Sequence, residues 1–363
     1  AGHEGDGYCA DGYRGPRCEL CDESMHSRYF DKLESRCHDC GDIKAKTAAI
    51  SGAVLLLFVG GFGIKIAVTR MKTSRVCSAI RRGAGRAGAI WHAAGMRFKG
   101  KALVGFYQCI AAVPSVFNVV PPIGLEEFTR WIHLFELPSD LENIIVPTAC
   151  LGDYRRRIWL GSLWPLGLIA LFTAGMVGLE LLLDCVRKGS RANRSIRTAV
   201  GAGLQRVLPP TLTLTFFFVP SVSTRIFKTF RCEPIEFRDG DERRYLKADL
   251  RMSCDEEDYQ STRGVAFAFM AVWPVGIPLL YAVLLWASRD AIREHTPSSL
   301  SRATAFLWGD YSVFAFWWEP IEMCRKLALT GYVLLIPDDA EHARILVALL
   351  ISIIFLVLHV IVG

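Results

Sequence analysis

Trp317-Trp-Glu-Pro-Ile-Glu-Met-Cys-Arg-Lys-Leu-Ala-Leu-Thr-Gly331 leads without a break into Tyr332-Val-Leu-Leu-Ile336, and the combined run reads as the start of a membrane-spanning helix. It nevertheless carries Glu319, Glu322, Arg325 and Lys326. Ionisable groups are costly in hydrocarbon and usually face protein or water there. On a helix, Glu322 lies three and four residues before Arg325 and Lys326, and Glu319 lies one turn before Glu322. The four charges can therefore neutralise one another along one side. Two readings follow. One is a surface cluster that positions a helix end, with Arg325 and Lys326 snorkelling to the interface. The other is a buried charge network at a gate or ion path.

The surrounding chain settles that this is a membrane sequence. Hydrophobic residues make up 52% of 363, in runs that approach the roughly 20 apolar residues needed to cross a bilayer. The expected fold is all-α, a polytopic transmembrane helix bundle with about seven spans: 47–69, 102–123, 158–183, 198–222, 264–287, 312–336 and 345–363. The chain starts at Ala1 without an initiator Met and stops at Gly363 inside an apolar run, which implies a portion of a longer protein. Its formal charge of +6 is a matter of topology, and no nucleic-acid partner is expected.

Residues 70–101 hold Arg70, Lys72, Arg75, Arg81, Arg82, Arg86, Arg97, Lys99 and Lys101 and no acid, so the positive-inside rule makes this segment cytoplasmic. Residues 1–42 are then outside and 43–363 form the membrane domain. Arg155, Arg156 and Arg157 fall on the predicted outer side, against that bias. Arg191, Arg194 and Arg197 recur every third residue as in a voltage sensor, but they precede the apolar run. Helix breaks are expected at Pro209-Pro210 and within Trp273-Pro274-Val-Gly-Ile-Pro278. Proline-broken spans are tolerated where neighbouring helices or water satisfy the freed carbonyls.

The outer segment 1–42 is too small for a core of its own and carries Cys9, Cys18, Cys21, Cys37 and Cys40. Its two CxxC pairs are also compatible with zinc. Cys9-Ala-Asp-Gly-Tyr-Arg-Gly-Pro-Arg-Cys18-Glu-Leu-Cys21 resembles the second half of a laminin-type EGF repeat, a resemblance that implies the pairs Cys9–Cys18 and Cys21–Cys37. The predicted outer side holds eight cysteines, an even number. Cys232 and Cys254 are expected to pair within their loop, which leaves Cys40 with Cys150. Cys77, Cys109, Cys185 and Cys324 are expected as free thiols. The acidic run Asp255-Glu256-Glu257-Asp258 reads as a solvated surface, with a weak Ca2+ site or a cation-attracting vestibule as the alternative.

Phe106-Tyr-Gln108, Pro114-Ser-Val-Phe117, Cys232 with Tyr245-Leu-Lys-Ala-Asp249 and Cys254, Trp273 to Pro278, and Trp318 to Gly331 together resemble the TRP-like membrane proteins of algae and protists. The resemblance spans about residue 95 to the end. It implies a cation channel or channel-like subunit, mechanically gated in one version, in a plasma or ciliary membrane. One departure stands against a tetrameric pore of that type: only Pro337 to Arg344 joins the last two expected spans, too little for a re-entrant filter. The alternative is a cell-surface receptor, adhesion or scaffold protein that binds other membrane or extracellular subunits through its cysteine-rich module. No HExxH, GxSxG or P-loop motif is present, so neither an enzyme nor a resident cofactor is expected.

Overall fold

The structure, a computed structural model, describes residues 9–21, 28–31, 35–40, 96–117, 150, 152–188, 196–236, 242–337 and 340–362. Two antiparallel ribbons make the N-terminal module: β1 (Tyr13–Arg14) with β2 (Leu20–Cys21), and β3 (Arg28–Asp31) with β4 (Arg36–Asp39). Gly12 and Gly15 turn the first ribbon at φ of +88° and +87°, a region that favours glycine. A Cβ at Gly15 would also come within 2.6 Å of Leu20 Cδ1. Cys9–Cys18 and Cys21–Cys37 close the ribbons, and Cys40 bonds Cys150. All five module cysteines are thus in disulfides, which leaves no thiolate for the zinc alternative.

The helices follow: α1 (Met96–Phe117), α2 (Tyr154–Lys188), α3 (Ile196–Lys228), α4 (Glu257–Met270), α5 (Ile277–Arg293), α6 (Ser299–Ala303), α7 (Ala305–Trp308), α8 (Trp318–Thr330) and α9 (Glu341–Val362). Among the described residues, four stretches are long and apolar enough to cross a membrane: Tyr154–Gly178, Gly203–Lys228, Glu257–Arg293 and His342–Ile361. The other expected spans are not shown as such among the described residues. The expected span 47–69 lies outside the described residues. The expected span 102–123 is α1, which starts earlier, includes Lys99 and Lys101, and is described to Phe117. The expected span 312–336 is not one helix. It divides into a 3-10 turn at Val313–Ala315, the 13-residue α8, and a second 3-10 turn at Tyr332–Leu335. Thirteen helical residues reach about 20 Å, well short of a hydrocarbon core about 30 Å thick. Gly331 marks the division, for a Cβ there would press to 2.5 Å on the Phe227 ring.

Of the two expected proline breaks, the one at Pro209-Pro210 is absent, and the one at Pro274 is an interruption of the α-helix by a π-helical turn. α3 runs unbroken through Pro209, Pro210 and Pro220. Each proline withdraws an amide, but buried Val207, Leu212 and Phe216 hold the helix in the bundle. Pro274 sits in a π-helical turn, Ala271–Gly276, between α4 and α5, and Pro278 occupies the first turn of α5, where a missing N–H costs little. The turn buries Trp273, whose indole N–H donates to the Ser162 carbonyl at 3.1 Å. Tyr281 Oη and Thr215 Oγ1, 2.7 Å apart, tie α5 to α3. These groups share one core with Ile158, Leu285, Leu307, Met323 and Leu327.

The outer loop after α3 folds as a three-stranded antiparallel sheet, β5 (Cys232–Glu236), β6 (Glu242–Leu246) and β7 (Asp249–Ser253), so the molecule is mostly helical rather than all-α. Cys232 opposes Leu246 in the β5–β6 pair, and Cys232–Cys254 staples the sheet from its start to its end. Mixed charge hid these strands: the sheet is small, and Arg243, Arg244 and Arg251 on it are exposed.

Candidate functional site, a charged cavity at one end of the bundle

α1 buries Lys101, Gly105, Gln108, Ala112 and Val116, one stripe at helical spacing. Opposite it, α8 buries Glu319, Met323, Lys326 and Thr330 at the same period. The two polar stripes therefore meet. Lys101 Nζ lies 3.1 Å from Glu319 Oε2 and 3.0 Å from Asp310 Oδ2. It also donates to the Phe306 carbonyl and lies 4.1 Å from the centre of that ring. Tyr311 Oη donates to Glu319 Oε2 at 2.9 Å. An ammonium between two carboxylates, all under 10% exposed, forms the inner triad. The sequence spacing offers Glu319 neutralisation along its own helix, but its partner is Lys101, across the interface.

The other three charges of α8 divide. Glu322 accepts from Arg325 Nε at 2.9 Å and from a second guanidinium nitrogen, a bidentate pair one turn apart and about one-quarter exposed. Lys326 does not join it. Its side chain is 2% exposed, and its Nζ sits 3.9 Å from the centre of the Phe216 ring. Gly105 makes room for it, for a Cβ there would meet Lys326 Cε at 2.6 Å. The expected one-sided neutralisation along α8 thus holds for Glu322 and Arg325 only. Glu319, Glu322, Arg325, Lys326 and Lys101 line a half-open cavity of about 430 Å3, closed on the far side by Phe355 and His359 of α9. The His359 and Trp318 rings, both lining it, lie 5.7 Å apart. Sequence reasoning missed Lys101, Gly105, Asp310 and His359 as members. The available signal for Lys101 was its register with Gly105, Gln108 and Ala112, which continues the buried stripe of α1.

The outer end is organised by a second triad. Asp249 of β7 receives the guanidinium of Arg157 from α2 and that of Arg251 from its own strand, the latter at 2.9 Å and 3.0 Å. Burial pushes the Asp249 carboxyl up, but the Arg251 hydrogen bonds and the Arg157 charge outweigh it and hold the group below the usual carboxylate range. This pairing accounts for an arginine on the predicted outer side. Arg17 of the module bridges to Glu233 of β5, and Cys40–Cys150 ties the module to the approach of α2.

The acidic run divides by role. Asp255 binds Arg244 through both Nε and a terminal nitrogen, at 3.1 Å and 2.6 Å, and that partner lowers its pKa. Glu257 and Asp258 occupy the first turn of α4, where negative charge suits the helix dipole. Among the described residues no three metal-ligating side chains converge. Cys109 and Cys324 are free thiols, while Cys77 and the Cys185 side chain lie outside the described set.

Comparison with known proteins gives a partial likeness. The chain is 26% identical over 169 residues to Cysteine repeat modular protein A of Toxoplasma gondii. The alignment takes in 44% of this chain and 5% of that protein, so the chain spans a small fraction of its relative's length. No family model and no solved structure matches.

Proposed function

We propose that the chain is the membrane-embedded region of a cell-surface receptor or scaffold, in which a cysteine-rich ectodomain is fixed to a helix bundle. The observation that carries this reading is the outer clamp: Cys40–Cys150, Arg17–Glu233 and Arg157–Asp249 join module, sheet and α2. A flexible tether would anchor an ectodomain equally well, whereas a clamp passes displacement from the module into the membrane helices. The likeness to a small part of a long cysteine-repeat protein supports further extracellular modules on the full-length protein. The partners on this reading are the lipid bilayer and other membrane or extracellular subunits.

The test is amide exchange of the protein in lipid nanodiscs. Cys40→Ser with Cys150→Ser should speed exchange in the first turns of α2 and in β5–β7, with the far end of α5 unchanged. Unchanged exchange at α2 would remove the clamp as a conduit. Surface cross-linking of the full-length protein should then capture partners only when residues 9–40 are present.

A second reading, a TRP-like cation channel or channel-like subunit, is favoured by one feature, the half-open cavity of the bundle lined by charged side chains. Flux from proteoliposomes under membrane stretch tests it. Cation flux that Glu319→Gln abolishes would promote this reading above the first.

A further inference from the structure

We propose that the 3-10 turn Val313–Ala315 is a bilayer contact, in which Phe314 enters the inner leaflet at the headgroup–acyl boundary and gives the membrane a direct hold on the inner triad. Phe314 is 91% exposed, more than any other large apolar side chain among the described residues. Its neighbours face inward: Ala315 and Phe316 are buried, and Val313 packs against the core. The turn rests on α5 and is closed by the Ala315 amide, which donates to the Ser312 carbonyl at 2.9 Å. A turn held from within presents this one ring outward, and an apolar ring so presented is stabilised by leaving water.

The membrane boundary lies at the level of this turn. α5 ends the apolar stretch Glu257–Arg293, and Leu279, Val283 and Trp286 form one exposed face along it at helical spacing. Trp286 closes that face, with the Arg289 guanidinium 4.2 Å from its ring centre. A tryptophan covered by an arginine at the end of an apolar face marks the membrane–water interface. One turn further on, Arg293 lies 5.6 Å from the ring of Phe316, two residues after Phe314. Arg289 is paired with Asp290, so the contact needs no anionic headgroup, only lipid. The hold on the triad follows from chain order. Asp310 stands four residues before Phe314 and Glu319 five residues after it. Lys101 is gripped by both carboxylates, and Tyr311 donates to Glu319 across the same turn. A shift of Phe314 with leaflet thickness therefore moves both acidic arms of the triad against α1. The contact is independent of whether the chain conducts or only transmits.

Fluorescence quenching of the full chain in liposomes reads the contact. A fluorescent amino acid introduced genetically at position 314 should be quenched by phosphatidylcholine brominated high on its acyl chains and shielded from aqueous iodide. The same label at position 296, on the exposed loop after α5, should show the reverse. Iodide quenching at 314 equal to that at 296 would overturn the proposal. Protection from both quenchers would overturn it too, and would assign the ring to a protein partner. Hydrogen exchange reads the hold on the triad. Between thin and thick phosphatidylcholine bilayers, exchange in α8 of the wild type should change roughly fivefold, the effect expected of a few Å of hydrophobic mismatch. Phe314→Ser removes an exposed ring without touching the core and should lose this dependence. Leu279→Ala, on the lipid face of α5, should keep it. A thickness dependence that survives Phe314→Ser unchanged would show that the bilayer does not act on the triad through this turn.

Discussion

The two ends of the bundle solve the same electrostatic problem with opposite signs. At the outer end one carboxylate, Asp249, sits between two guanidiniums. At the inner end one ammonium, Lys101, sits between two carboxylates. The outer triad opens to water on one side, since the Arg251 side chain is 39% exposed. The inner triad is closed, and its surplus negative charge faces Lys326 across a cavity. Arginine presents a rigid fork that fixes geometry, as a clamp requires, whereas lysine is a point charge on a flexible stem that can exchange partners. The difference teaches that one end is built to hold and the other to accommodate.

Removing the central group of each triad is the strongest way to break this comparison. Lys101→Met strands two buried carboxylates and should cost about 3–5 kcal/mol, the range for breaking a buried pair. Asp249→Asn should cost less, about 2–3 kcal/mol, because Arg251 can turn to water. Thermal unfolding in one detergent ranks the two, and the reverse order would show that the outer triad is the more enclosed. Gly105→Ala drives a methyl into Lys326 and should cost about 1–3 kcal/mol by overpacking, read in the same assay.

Acid sharpens the contrast. The Asp249 pKa is depressed in the folded protein, so its contribution is complete above the unfolded carboxylate value, near 4, and fades as pH falls through the folded value. Wild type should lose protection of β7 in hydrogen exchange below about pH 4, and Asp249→Asn should lose no more there than at neutral pH. A wild-type β7 that stays protected well below that range would show that the two guanidiniums contribute little. The smallest effect is expected for Glu322→Gln, which opens a partly exposed pair and should cost under about 1 kcal/mol, though still more than Arg155→Gln. Arg155 makes one exposed hydrogen bond to Ser261, so equal stability of these two variants would reduce Glu322–Arg325 to a surface pair.

The span pattern shows where the sequence misleads. Hydropathy merged α8 with its flanking turns because it averages over a window and cannot see that Gly331 lets Phe227 close the helix end. Proline reads as a break in sequence because its lost amide is certain, yet α3 stays continuous where buried neighbours hold the backbone. The strands β5–β7 were illegible for another reason. Short strands with one wet face carry few apolar residues, and a disulfide substitutes for the core that would have revealed them.

The sequence by itself determined that this is a membrane protein with a cysteine-rich outer module, because apolar run length and cysteine density report solvent and redox surroundings residue by residue. It also placed the charges of the opening stretch on a helix. Only the tertiary structure decided how those charges are used. Partnership between Lys101 and Glu319 depends on two helices, more than 200 residues apart, turning matching faces together. Local spacing paired Glu322 with Arg325, but the burial of Lys326 against Phe216, and the cavity it faces, exist only once α1, α3, α8 and α9 have packed.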